Sequence, residues 1–299
     1  MAVDANLITT TVMTDAQVRE VQFTLLFEES IKKLMEALGV TRKIPMQAGT
    51  TLKTYKASGT LQSGTVAEGE VIPLSKYQVS PVTYKEIALN KFRKATTIEA
   101  IQKYGFKQAV NMTNDRMIKD IQKGIRKDFF DFLATGKGKA TGTNFQGALA
   151  QAWGQLQVLF EDDEAQAVYF MNQLDVADYL ATANVTTQTA FGMTYIKDFL
   201  GLGTVILNSS VPKGKIYATA SNNIVLYYVP VNSSDIGEAF SFTTDETGLV
   251  GIHETPDYDT ATAITTVVDG IALFAERIDG VVIASITPPA TQETGKETQ

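Results

Sequence analysis

The chain has 299 residues, 44% of them hydrophobic and 20% charged. That is ordinary globular composition and enough length for one large or two interleaved domains. It contains no cysteine and a single histidine, which excludes disulfides, thiolate metal sites, a cysteine nucleophile and multi-histidine metal centres. The formal charge of −7 argues on its total against a nucleic-acid partner. However, residues 85–139 hold 13 basic and 6 acidic side chains whereas residues 140–299 hold 5 and 19, a split that suggests two surfaces facing different environments.

Residues 1–13 carry no basic segment followed by a long apolar run, and no stretch reaches the ~18 apolar residues of a membrane span. The expectation is a soluble chain that folds in the cytoplasm, with an extended N-terminal arm. Thr14-Asp15-Ala16-Gln17 has the form of a capping box and opens a helix. Val18, Val21, Leu25, Ile31, Leu34 and Leu38 supply its apolar face and Gly39 its stop. Residues 50–57 and 76–90 alternate like strands. The segment between them is rich in glycine and poor in large apolar groups. Together they predict a long two-stranded hairpin, with Pro81 confining it to an exposed ribbon. Such a ribbon is marginal in water by itself and is better explained if it packs on a neighbouring subunit.

Residues 103–134 read as one helix of roughly 48 Å. Ile118, Ile121, Ile125, Phe129 and Phe132 form an apolar stripe, opposite a basic stripe of Arg116, Lys119, Lys123, Arg126 and Lys127. Gly105 and Gly124 are points where it can bend. Residues 135–144 are expected as a loop, 145–160 as a helix, 166–171 as a strand and 172–182 as a helix capped by Asn172. Residues 183–195 are expected as a surface loop. Strands follow at 204–208, 215–219 and 224–229 and through 239–287, with Asp279-Gly280 as a hairpin turn. The polar residues 288–299 read as a disordered tail.

Catalytic patterns are sparse. His253 has no G-x-S-x-G serine to serve, and the glycines near Gly59 and Gly64 are not followed by G-K-[ST]. The run Glu161-Asp162-Asp163-Glu164 has the chemistry to hold a hard cation, and a metal-dependent hydrolase built on it is kept as an alternative to an exposed acidic loop. Asp257 and Asp259 read as a turn. No cofactor, metal site or catalytic residue is assigned, and the chain is expected not to be an enzyme.

The order of arm, long hairpin, long helix and mixed α/β remainder resembles the tailed-bacteriophage major capsid family, with its Johnson or HK-ninety-seven-like fold. The resemblance is carried by Ala67-Glu68-Gly69-Glu70-Val71-Ile72-Pro73 near the hairpin tip, and by Gly270-Ile271-Ala272-Leu273-Phe274 and Asp279-Gly280-Val281-Val282 near the end. It implies an α+β fold with an arm and helix over 1–44 and an E-loop hairpin over 45–90. It also implies a peripheral domain over 91–144 and 236–269 that contains the spine helix, an axial domain over 145–235 and 270–287, and a tail over 288–299. It further implies self-assembly into pentamers and hexamers of an icosahedral head, built in a bacterial cytoplasm around double-stranded DNA held by non-specific contacts. A portal is implied, and so is a separate scaffolding protein, because no fused scaffold segment is found. On this reading Gly59, Glu68, Gly69, Glu70 and Pro73 form the inter-subunit hairpin, and Arg116, Lys119, Lys123, Arg126 and Lys127 look inward. An encapsulin-like nanocompartment shell is the related alternative.

Overall fold

The computed structural model describes residues 15–60, 62–67, 69–160, 166–182 and 186–287. The first helix, Asp15–Leu38, buries Phe23, Phe27, Ile31, Leu34 and Leu38, a spacing of three or four residues that makes one stripe. Val18 and Leu25, expected on that face, are exposed instead. The two phenylalanines offer more apolar area than the valine and leucine they displace, and they set the rotation of the helix. Gly39, at φ +64°, ends it. The Val40 amide reaches back to the Met35 carbonyl at 2.9 Å, the long back-bond that closes a helix around a left-handed residue. Thr14, the expected cap, lies outside the described residues.

The helix expected at 103–134 is two helices. Gly105, at φ +79° and ψ 143°, separates Ile98–Tyr104 from the spine helix Phe106–Leu133. That backbone geometry is open to glycine and closed to residues with a Cβ. The 28 residues of the spine span about 42 Å. Its expected apolar stripe is buried at Ile118, Ile121, Ile125 and Phe129.

The body centres on a seven-stranded sheet in the order Gly138–Gly142, Val281–Ile286, Lys215–Ala220, Ala167–Met171, Thr204–Leu207, Met193–Ile196, Gln188–Ala190. Its centre is covered on both faces, so Ala167–Met171 is buried at every position. Ala167, Tyr169 and Met171 pack with Ala148, Leu149, Ala152 and Leu156 of the helix Phe145–Leu159. Val168 and Phe170 point the other way, into the core shared by the first and spine helices. The period of two splits one strand between two cores.

Three expectations fail in this region. The loop expected at 135–144 contains the edge strand Gly138–Gly142, parallel to Val281–Ile286. The surface loop expected at 183–195 contains a hairpin, Gln188–Ala190 with Met193–Ile196. Phe191 and Gly192 at its turn both have positive φ, the hand that suits the twist of paired strands. Ala190, Phe191, Met193 and Tyr195 are buried. Asp279-Gly280 turns the chain but joins no hairpin. Ile271–Ala275 before it pairs with Ile224–Tyr228, and Val281–Ile286 after it pairs with Lys215–Ala220, so the chain changes sheets there.

A three-stranded sheet joins Lys43–Pro45, Ile224–Tyr228 and Ile271–Ala275. A four-stranded antiparallel sheet runs Thr243–Thr244, Val250–Asp257, Thr262–Asp269, Asn90–Thr97. The expected ribbon is present as Thr51–Thr60 paired with Lys76–Glu86, with an irregularity between Thr54 and Tyr55 where the register meets Pro81. Ten paired residues give it a length of about 33 Å.

Candidate assembly surfaces

The root of the ribbon is anchored in a small core. Leu52 and Ile87 are buried there with Val225, Tyr227 and Phe274. Beyond the root its two strands form a sheet of their own. Gly59 lies against Tyr77, and a Cβ there would stand 2.4 Å from the Tyr77 ring and 2.7 Å from the Lys76 carbonyl. Gly69 takes φ +87°, and the Glu70 amide donates to the Ala67 carbonyl at 3.1 Å, closing a small turn at the tip. Pro73 is exposed. Val71 and Leu74 are 92% and 94% exposed, and Ile72 and Tyr77 are exposed beside them. Glu68 lies outside the described residues. Large apolar patches left exposed are uncommon on soluble subunits.

The basic stripe of the spine helix is divided. Arg116, Lys119, Lys123 and Lys127 are exposed. Arg116 pairs with Asp120 at 3.1 Å and Lys127 with Asp131 at 2.8 Å. Arg126 turns inward. It is half-buried, donates to the Phe191 carbonyl and stands over the Phe191 ring. Burial lowers its pKa from the usual guanidinium value. Arg126 therefore pins the turn of the Gln188–Ile196 hairpin to the spine, and four of the five residues share the exposed face.

A second polar assembly, unforeseen from the sequence, ties the first helix to the four-stranded sheet. Arg19 donates to Glu254 Oε2 from Nε at 2.9 Å and Nη2 at 2.7 Å. Asn114 Nδ2 of the spine donates to Glu254 Oε1 at 3.2 Å. Glu20, almost fully buried, accepts from the Glu254 amide and the Thr243 hydroxyl, both at 2.5 Å. His253 Nδ1 is 3.7 Å from Glu20 Oε1, and the histidine is partly exposed. Lys94 donates to the Val110 carbonyl at 3.2 Å and to Thr113 at 2.5 Å. Burial pushes its amine down to about 8, with Glu254 opposing that shift and Arg19 adding to it. Fully buried Asp269 accepts from Asn90 at 3.0 Å, and burial raises its carboxyl above the usual range. The sequence signal was available in part: Arg19-Glu20 interrupts an otherwise apolar helix face, but nothing local identifies Glu254 as its partner 235 positions away.

These groups brace the fold. Among the described residues no three His, Cys, Asp or Glu side chains are arranged to hold a metal ion. The acidic run at 161–164 lies outside the described residues. Asp257 accepts from Thr260 Oγ1 at 2.8 Å and the Asp259 amide at 3.0 Å, and so serves its turn. Among the described residues no helix is long and apolar enough to cross a membrane.

No family model matches the sequence, and no curated protein matches it. Solved structures do. The capsid of a native GTA particle is similar at 10% identity with a TM-score of 0.55, covering 96% of this chain and 95% of that one. The holo-SrpI encapsulin of Synechococcus elongatus is 12% identical with a TM-score of 0.53, covering 95% and 93%. The mature capsid of bacteriophage PhiM1 is 6% identical with a TM-score of 0.51, covering 82% and 85%. The chain has the HK-ninety-seven-like capsid fold. The α+β reading with an extended hairpin and a spine helix is thereby met in the structure. At these identities the likeness is one of fold, and it spans nearly the whole chain.

Proposed function

We propose that this chain is the major capsid protein of a tailed bacteriophage or a related particle, and that it assembles into the pentamers and hexamers of an icosahedral shell. The observation that carries the reading is the ribbon. It extends from a fold shared with shell proteins, is anchored in a core at its root, and ends in the exposed side chains of Val71, Ile72 and Leu74. A two-stranded ribbon of this kind gains stability when a neighbour supplies its second layer.

On this reading the arm and first helix cover 1–44 and the E-loop 45–90. The peripheral domain is 91–144 with 236–269, and the axial domain 145–235 with 270–287, followed by a tail at 288–299. The strand Gly138–Gly142 crosses from the peripheral stretch to complete the axial sheet. The exposed Arg116, Lys119, Lys123 and Lys127 face the interior, toward a separate scaffolding protein and then double-stranded DNA held by non-specific contacts. A portal occupies one vertex, and assembly takes place in the host cytoplasm. The chain acts as a structural protein and performs no catalysis.

Co-expression with a scaffolding protein, followed by negative-stain microscopy, tests this. Closed shells are expected, and a monodisperse monomer under all conditions contradicts the reading. An encapsulin-like compartment is the second reading, favoured by the encapsulin neighbour. Purified shells separate the two: one encloses DNA after packaging, the other a protein cargo.

A further inference from the structure

Asp269 is wholly buried, yet its Oδ2 has no hydrogen-bond partner among the described residues. Buried polar atoms are nearly always paired, so the exception asks for a cause. Its Oδ1 accepts from Asn90 Nδ2 at 3.0 Å and from the Ile271 amide at 3.4 Å. The residues beside it on the neighbouring strands, Val250 and Asn90, carry no charge. The charged group that acts on it is Asp128 of the spine helix, which has the same sign. A carboxylate held out of water with no cation is far more costly than an unpaired neutral hydroxyl. Burial therefore raises the carboxyl above the ordinary 3.8. The bonds from Asn90 and Ile271 oppose that shift, and Asp128 adds to it.

The acid stands at a joint. The strand Thr262–Asp269 ends on it, and two residues later Ile271 opens a strand of the three-stranded sheet. Gly270 between them is tightly enclosed, since a Cβ there would stand 2.7 Å from Val229 Cβ and 3.1 Å from Leu89 Cδ2. On the other side Asn90 opens the strand Asn90–Thr97, three residues after Ile87. The Ile87 amide donates to the Thr50 carbonyl at 3.0 Å, and its carbonyl accepts from the Gly49 amide at 2.9 Å, which closes the root of the ribbon. One side-chain bond, Asn90 to Asp269, thus ties the chain leaving the ribbon to the chain passing between two sheets. Asn90 is exposed, so the acid lies one side chain from solvent and can exchange its proton there.

We propose that Asp269 is a proton-dependent latch for the ribbon. As a neutral acid it holds the root against the two sheets, and on ionising it loosens the root while the seven-stranded sheet stays intact. The latch belongs to the single subunit, so it goes beyond the shell reading and does not depend on it. The folded chain keeps this proton to higher pH than the unfolded chain. The stabilisation is therefore complete below the unfolded value and is lost as pH rises through the folded one.

Hydrogen exchange on the full wild-type chain and on Asp269→Asn, from mild acid to mild alkali, tests this. Asparagine keeps the Oδ1 acceptor and cannot ionise. In wild type the protection factors of the Gly49, Ile87 and Ile271 amides are expected to fall by about tenfold or more, the equivalent of at least one unit of pKa shift. Those of Tyr169 and Phe170 should hold, and Asp269→Asn should stay protected at the root throughout. The same fall in both proteins, no fall in wild type, or an equal loss at Tyr169 and Phe170 overturns the latch. If Asp269→Asn does not fold, the wild-type chain decides alone. Its carboxylic-acid carbonyl band in the infrared should persist in slightly acidic solution, where exposed carboxyls are ionised, and disappear over the range in which root protection falls. A missing band, or its loss with root protection unchanged, overturns the proposal.

Discussion

The seven-stranded sheet and the two-stranded ribbon are built from similarly strand-prone residues, yet they depend on different things. In the sheet Phe170 is fully buried, with its ring edge-on to Phe129 and Phe130 at 5.5 Å each. In the ribbon Leu74 is almost fully exposed. The sheet carries its own two cores, and burial of apolar area stabilises it within the subunit. The ribbon has one pair of strands and a buried root, and the apolar side chains at its tip are exposed in the subunit. On the proposed reading, subunit stability and shell stability reside in different residues.

That separation can be broken from the core side first. Phe170→Ala is expected to destabilise the free subunit by about 3–5 kcal/mol, read as a lower urea midpoint. A loss below about 1 kcal/mol would mean the sheet tolerates the cavity and the comparison is overdrawn. Next in size is Arg19→Ala, which leaves the carboxylate of Glu254 buried and without its cation. Both side chains are largely buried, so a loss of about 3 kcal/mol is expected, and Arg19→Ala with Glu254→Gln should recover part of it. An additive double variant would show that the pair is not coupled.

The ribbon gives the opposite signature. Replacing residues 61–75 by Asn-Gly, the turn that suits a two-residue hairpin, should change subunit stability by no more than about 0.5 kcal/mol while abolishing assembly. A subunit that unfolds on this replacement would place the tip among the stabilising regions. The smallest effect concerns pH. Folded Lys94 gives up its proton near 8, while the unfolded chain holds it to about 10.5. Between these values the unfolded state binds more protons, so this group makes stability rise with pH. The side chain is only partly buried, and solvent screening keeps the effect modest. Relative to Lys94→Met, wild-type Tm should climb from pH 8 to 10.5, and a constant difference would remove Lys94 from the account.

The ribbon and the spine were legible in the sequence because each has a strong local signature. For the ribbon these are alternation, the glycine-rich tip and Pro81; for the spine it is the stripe from Ile118 to Phe129. What was missed depends on partners distant in sequence. Gly138–Gly142 becomes a strand only because Val281–Ile286 lies beside it, and its sequence GKATG reads as a loop. The hairpin about Phe191-Gly192 is hidden by the polar stretch before it and is held in place by Arg126 from the spine. Asp279-Gly280 was read correctly as a turn and wrongly as a hairpin, since turn chemistry does not reveal which sheet each flanking strand joins. The basic face was legible as a periodicity, but the inward turn of Arg126 follows from the neighbouring carbonyl. The network of Arg19, Glu20 and Glu254 joins residues more than 230 positions apart, and the charged pair on the first helix gives no local signal of its partner.

The most direct test of the central claim is cryo-electron microscopy of particles assembled from the wild-type chain. A closed shell is expected, with each ribbon lying across a neighbouring subunit and Val71, Ile72 and Leu74 covered there. A particle in which every ribbon folds against its own subunit, or the absence of any closed particle, would contradict it.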